Sequence, residues 1–169
     1  MNYSNKTPVV LGLGSNKNFE TLSPMLIFEQ ACLLLQEKIE NIRKSSIYKT
    51  TAMYYENQED FYNMVVAGLY SGNPRELLDF IHTIENQLGR NRKKEFRNGP
   101  RTLDIDIELF GKEKITEDDL IIPHPRMEER GFVLIPMLEI FSKNAELDIE
   151  GTYYQSCLDK LPNQGVRKI

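Results

Sequence analysis

Two aspartates one residue apart, Asp104-Ile105-Asp106, stand in an alternating run, LDIDIELF, over residues 103–110. Alternation of this kind predicts a strand, in which residues two apart share a face about 6.5–7 Å from each other. Leu103, Ile105, Ile107 and Leu109 then take the opposite face and form core. Two carboxylates held that close repel unless something cationic lies between them. A divalent ion answers that need, and magnesium typically takes one or two carboxylates and completes its shell with water and phosphate. A solvated strand face would explain the same spacing, and Glu108 on the same side suits that reading.

The segment just before this strand favours the metal. Residues 90–101, RNRKKEFRNGPR, hold Arg90, Arg92, Lys93, Lys94, Arg97 and Arg101 against one acid, Glu95. Of 21 Lys and Arg, six are here, and of 25 Asp and Glu, one; the rest of the chain carries 15 basic and 24 acidic residues. A concentrated positive loop on an acidic body implies a locally anionic ligand. Gly99-Pro100 fixes a turn that brings Arg101 to three residues from Asp104. Arginine donors beside a metal site are the parts that hold a polyphosphate. Gly89 and Gly99 bracket the basic run, so it is expected to move and close as a lid, with Arg101 fixed by its turn and Arg90 acting in the closed state. The sequence has no GxxxxGK[ST] element, and Gly12-Leu13-Gly14-Ser15 reads as a strand end. His124, stiffened in Pro123-His124-Pro125, could donate to a phosphate oxygen or be structural. His82 lies on the flank of a helical stripe and reads as a surface residue. No HExxH spacing supports a zinc hydrolase.

The elements that must position these groups follow from periodicity. Residues 8–13 read as a buried strand ending at Gly14. Ser23 and Pro24 open a helix whose stripe is Phe28, Cys32, Leu35 and Ile39. Residues 45–52 and 61–70 read as strands, the second central because of Val65 and Val66. Asn73 and Pro74 open a second helix with the stripe Leu77, Ile81, Ile84 and Leu88, stopped by Gly89. A short helix is expected from Arg130 to Ile140, disturbed by Pro136. Two consecutive strands between helices favour an α+β fold, a ferredoxin-like antiparallel sheet with helices packed on its faces in α-β-α layers, over a doubly wound sheet. The 169 residues suit one domain spanning residues 1–169. The net charge of −4 argues against a general nucleic-acid binder, no apolar run approaches membrane length, and the N-terminus has no signal-peptide pattern. Cys32 and Cys157 match no metal spacing and read as free thiols of a reducing compartment.

Residues 99–107, GPRTLDIDI, with Arg97 two positions ahead, resemble the signature of the 6-hydroxymethyl-7,8-dihydropterin pyrophosphokinase family. Gly14-Ser15-Asn16 is similar to the family's opening motif, Phe61-Tyr62-Asn63 to its pterin element, and Glu85 with Gly89-Arg90-Asn91-Arg92 to the entry of its mobile loop. Residues 122–134, IPHPRMEERGFVL, resemble its second signature, and Gln164-Gly165-Val166 its tail. The resemblance implies a cytoplasmic ATP-dependent diphosphokinase of folate biosynthesis that moves the pyrophosphoryl group of ATP to 6-hydroxymethyl-7,8-dihydropterin, using two magnesium ions. It implies Asp104 and Asp106 on the metal, Arg90 and Arg101 as catalytic arginines, and Glu85, Arg92, Arg101, Ile107, His124 and Arg130 around ATP. It implies Asn63 bonding the pterin, Phe61 and Phe132 stacking on it, and main chain near Thr50 and Met53 reading its edge. It also implies a monomer with two small-molecule substrates and neither nucleic acid nor membrane as partner.

The chain departs from the family pattern at Glu108, where an apolar residue is usual, and at Thr51, Ala52, Met53 and Tyr54, which replace the common prolines and glycine. Two rival readings are an RNA-binding module and a pterin- or nucleotide-binding protein without activity. Arg130-Gly131-Phe132-Val133 is followed by leucine and isoleucine and reads as helix, unlike an RNA-binding strand. The intact Arg101, Asp104 and Asp106 argue against loss of activity.

Overall fold

The computed structural model describes residues 5–51, 59–97, 99–142 and 150–169. Its main sheet is antiparallel, with neighbours in the order β5 (Asp104–Phe110), β1 (Thr7–Ser15), β4 (Phe61–Tyr70), β3 (Tyr48–Thr50) and β8 (Arg167–Lys168), and with β2 (Ile39–Lys44) also on β4. Strand β1 (Thr7–Ser15) is central, paired along its length with β4 (Phe61–Tyr70) on one side and with β5 (Asp104–Phe110) on the other. Helices α1 (Pro24–Leu35) and α2 (Pro74–Gln87) cover one face. Helices α3 (Gly131–Ser142) and α4 (Gly151–Asp159) cover the other. This is the expected ferredoxin-like arrangement in α-β-α layers. A hairpin of β6 (Ile115–Glu117) and β7 (Leu120–Ile122) follows β5, and β8 (Arg167–Lys168) closes the far edge on β3 (Tyr48–Thr50). Among the described residues no helix is long and apolar enough to cross a membrane.

Helix α2 begins as its sequence dictates. The Asn73 side chain accepts from Glu76 N–H at 2.9 Å and the Glu76 carboxylate accepts from Asn73 N–H at 2.9 Å, a reciprocal cap. Gly89, at φ +87°, ends it in a conformation that a side chain disfavours. Ser23 stands at the start of α1 in extended conformation, but its hydroxyl makes no capping bond; its carbonyl accepts from Ile27 instead.

Three expectations are corrected. Helix α1 stops at Leu35, and Ile39 opens β2 (Ile39–Lys44), opposite Tyr70. The last turn tightens through Glu37 N–H to Leu34 and Lys38 N–H to Leu35, and the chain turns back with Ile39 in the same core. The four-residue spacing thus reported burial rather than helix. Of the strand expected over 45–52, Tyr48–Thr50 forms one, β3; β2 ends before it at Lys44, and between them the Ser45 hydroxyl takes the Val65 N–H at 2.9 Å in place of a ladder carbonyl. The alternation in β5 also breaks: Val10 faces Leu109 and Leu11 faces Ile107, so residue 108 is an extra residue, a β-bulge. Leu109, expected beside Leu103, Ile105 and Ile107, packs in the other core with Val10, Val133 and Met137, and Phe110 returns to the first. Helix α3 runs through Pro136, which is buried.

Candidate active site

The bulged strand puts Asp104, Asp106 and Glu108 on the α3 side of the sheet, against β1, where Gly12 and Gly14 offer no side chains. Together with Thr50, Asn63, Phe61 and Phe132 they line a cleft of about 300 Å³. The exposed strand face held open for Glu108 is corrected here, because its side chain is only 1% exposed.

Asp104 receives the guanidinium groups of Arg90 and of Arg101, the second at 2.7 Å. Burial pushes its carboxyl pKa up, but the two arginines outweigh burial and hold it below the usual carboxylate value. Asp106 has weaker company, with Arg130 at 3.4 Å and His124 Nε2 at 3.7 Å. Burial, then the charge of Asp104, pushes its pKa up to about 7. Glu108 is driven further up, well above its ordinary value, by burial and then by Asp106. Three stacked acids, the first met by two arginines, the second by Arg130 at 3.4 Å and the third by no donor among the described residues, leave a carboxyl-rich wall that a cation relieves. Two carboxylates beside a cluster of arginines also form a donor set that magnesium accepts. Among the described residues no cluster of three or more metal-ligating side chains occurs.

The arginines are held from behind. Glu85, on the last turn of α2, is fully buried. Its carboxylate accepts from Arg90 at 2.8 Å, from Arg92 at 2.6 Å and from the Ile105 N–H at 2.8 Å, so it also satisfies the open edge of β5. Glu85, expected around ATP, has its carboxylate turned to these groups and positions them. Arg90, expected to reach the site on closure, already lies between Glu85, Glu95 and Asp104. The Ile107 side chain is in the core of α1 and α2, on the opposite face from the aspartates. Arg92 is half-exposed and, among the described residues, pairs with Glu85.

Residues whose part the sequence did not reveal complete the frame. Asn16 N–H donates to the Arg101 carbonyl at 3.1 Å and Asn16 Oδ1 accepts from Arg101 N–H at 2.9 Å, which clamps the main chain of Arg101. Gln164 accepts from Gly131 N–H at 2.7 Å and donates to the Glu129 carbonyl at 2.8 Å, tying down the start of α3 between Arg130 and Phe132. Both are polar residues at element ends, a signal shared with many turn residues. The Arg130 guanidinium lies 5.6 Å from the Phe132 ring centre. His124 Nδ1 accepts from Arg126 N–H at 3.2 Å, which leaves the proton of neutral imidazole on Nε2, toward Asp106. Burial, then Arg130, lowers its pKa to about 4, so it is neutral at pH 7. Asn63 is buried, with Nδ2 donating to Thr50 Oγ1 at 3.1 Å. His82 is half-buried on α2 and is not among the residues lining the cleft. Met53, Ala52 and Tyr54 lie outside the described residues.

Residues 10–142 match the sequence model of the 7,8-dihydro-6-hydroxymethylpterin-pyrophosphokinase (HPPK) family. The chain is 48% identical over 130 residues to the 2-amino-4-hydroxy-6-hydroxymethyldihydropteridine pyrophosphokinase of Bacillus subtilis, covering 73% of this chain and 77% of that protein. It is 41% identical over 132 residues to the enzyme of the same name from Aquifex aeolicus, covering 78% and 79%. In fold it is similar to the HPPK-DHPS of Plasmodium falciparum with pterin and p-hydroxybenzoate, with a TM-score of 0.68, 16% identity, and coverage of 95% of this chain and 44% of that one. A cleft with paired aspartates, converging arginines and aromatic walls, on a chain matched over most of its length, has one consistent assignment: this chain belongs to the 7,8-dihydro-6-hydroxymethylpterin-pyrophosphokinase family.

Proposed function

We infer that the cleft between β1, β5 and α3 binds 6-hydroxymethyl-7,8-dihydropterin beside ATP and moves the pyrophosphoryl group onto the pterin hydroxymethyl oxygen, releasing AMP. Family membership makes the chain an ATP-dependent pyrophosphokinase, a transferase of folate synthesis. The observation that carries the finer reading is the meeting of Asp104 and Asp106 with Arg101 and Arg130 in one cleft with Phe61, Asn63 and Phe132.

Asp104 and Asp106 would hold two magnesium ions, which when bound neutralise the polyphosphate and lower the pKa of the attacking hydroxyl. Phe61 and Phe132 give the flat apolar walls a pterin needs, and Asn63 with Thr50 gives polar edge contacts. Asn63 is pre-oriented by its bond to Thr50. The attack is in line on the β-phosphorus, and Arg101 and Arg90 stabilise charge on the transferred and departing phosphates. Arg130 and neutral His124, with its proton on Nε2, donate to phosphate oxygens. Arg92 and the Ile107 main chain on the open edge of β5 face the nucleotide, and Glu85 holds the arginines ready. Closure of the 90–98 loop excludes water, which otherwise competes as nucleophile. Residues 1–169 act as a single domain, a cytoplasmic monomer that engages these two small molecules and neither nucleic acid nor membrane.

The test is AMP release from ATP and the pterin alcohol in magnesium, with Asp104→Asn and Asp106→Asn. Each variant is expected to lose most turnover, at least about 100-fold, with unchanged circular dichroism. Near-normal AMP release by either variant removes the metal assignment.

A further inference from the structure

Among the described residues, Glu108 is the one acidic side chain of the cleft that receives no donor. It is 1% exposed, and among the described residues no group donates to either carboxyl oxygen. Leaving a buried carboxyl unmatched is strongly unfavourable, so a side chain kept in that state points to a donor from outside the chain. Its position is built rather than incidental. Residue 108 is the extra residue of the bulge and lies on the cleft face with Asp104 and Asp106, and the neighbouring strand has Gly12, where a Cβ would lie 2.7 Å from Glu108 Oε1. Any side chain at residue 12 would displace the carboxyl. The main chain is fixed too, because the Glu108 carbonyl accepts from His124 N–H at 3.0 Å.

The surroundings select the kind of donor. The charges that act on Glu108 are those of Asp106, Arg130 and Asp104, the phosphate end of the cleft. A magnesium ion keeps most of its waters, at about 2.1 Å. Such a water donates across about 2.7 Å, so an acceptor roughly 5 Å from the ion is within reach. Same-face side chains two positions apart on a strand are about 6.5–7 Å apart, a gap that one ion and one of its waters span. A carboxyl accepts through its carbonyl oxygen whether or not it carries a proton, so the contact does not depend on its ionisation.

We propose that Glu108, seated in the notch left by Gly12, is a positioning residue that accepts a hydrogen bond from a water of the magnesium ion held at Asp106. This rests on the reading of Asp104 and Asp106 as magnesium ligands. Glu108 is thereby an outer partner of the ion, fixing its hydration and the direction in which it faces the phosphates.

Calorimetric titration of magnesium into the protein saturated with a non-hydrolysable ATP analogue tests it, on wild type, Glu108→Leu, Glu108→Gln and Asp106→Asn. Glu108→Leu is expected to bind magnesium about 10–100-fold more weakly. It should also melt at a higher temperature, because an unmatched buried carboxyl is gone. Glu108→Gln, which keeps a carbonyl acceptor, should retain affinity within about threefold, on the same outer-partner scale. Pterin binding measured in chelator should be the same in wild type, Glu108→Leu and Glu108→Gln. Unchanged magnesium affinity in Glu108→Leu, with a loss in Asp106→Asn, overturns this proposal and leaves the metal reading standing. A fall in chelator-measured pterin affinity overturns it in favour of a direct contact with the pterin. Magnesium binding that is absent in wild type, or unaffected in Asp106→Asn, overturns both.

Discussion

Arg101 donates to Asp104 across 2.7 Å, so a cation assigned to the phosphates and a carboxylate assigned to the metal hold each other in position. Arg90 joins the same carboxylate from the other side. On the proposed function, metal loading at Asp104 would compete with both arginines and turn them toward the phosphates, the direction in which charge develops during transfer.

Arg101→Ala should slow the chemical step by roughly 100–1000-fold, the usual scale for one preorganised donor. Arg90→Ala should lose turnover comparably while ATP affinity barely changes, because Glu85 and Glu95 anchor Arg90 independently of nucleotide. Single-turnover quench with calorimetry separates the two effects. A loss of ATP affinity equal to the loss of rate would show that these arginines contribute uniform binding instead.

Glu85→Ala removes the buried partner of Arg90, Arg92 and the Ile105 N–H together. Breaking a buried pair from one side destabilises by about 3–5 kcal/mol. Urea denaturation should show that loss, and a change below about 1 kcal/mol, the range of a surface pair, would contradict the framing role given to Glu85.

Phe132→Ala should weaken pterin binding by on the order of 1–3 kcal/mol, through lost burial and ring contact, and ATP binding far less. Equal weakening of both ligands by calorimetry would move Phe132 from the pterin wall to a general support of α3.

Glu139 ties α3 to the β3 edge, accepting from the Tyr48 hydroxyl, from Ser46 Oγ at 2.7 Å and from Ser46 N–H at 3.1 Å. Burial raises its pKa, but the bonds from Tyr48 and Ser46 outweigh burial and bring it down to about 2 from an ordinary 4.5. A depressed folded-state value contributes stability that is present above about pH 4.5 and lost as pH falls toward 2. Thermal melts at pH 5 and pH 2.5 should show a smaller drop in Glu139→Gln than in wild type. Equal drops would assign the acid sensitivity to other carboxylates.

Much of this was legible in the chain because it is local. The period of two around Asp104 and Asp106, the Asn73-Pro74 helix start and the Gly89 stop each depend on a few neighbouring residues, and each is in place. The failures involve partners far away in sequence. Ile39 is buried at helical spacing, yet its strand is decided by pairing with Tyr70. The bulge at residue 108 depends on the register of β5 against β1, which no window of β5 contains. Asn16 meets Arg101 across 85 positions, and Gln164 meets Gly131 across 33. A polar residue whose work is to hold a distant main chain looks like any turn residue until the chain is folded.

The extra residue in β5 also sets what kind of sequence change the strand tolerates. Up to Ile107 the odd-numbered side chains face α1 and α2; beyond it the parity reverses, with Leu109 under α3 and Phe110 facing the other way. Residue 108 is thus an insertion in an otherwise regular ladder. Deleting it would restore simple alternation, with Ile107, Leu109 and Phe110 still opposite Leu11, Val10 and Val9 and on the sides they occupy now, and would take only the carboxyl from the cleft. The strand can therefore lose one residue here without disturbing either core, and the constraint at this point falls on the acid rather than on the count.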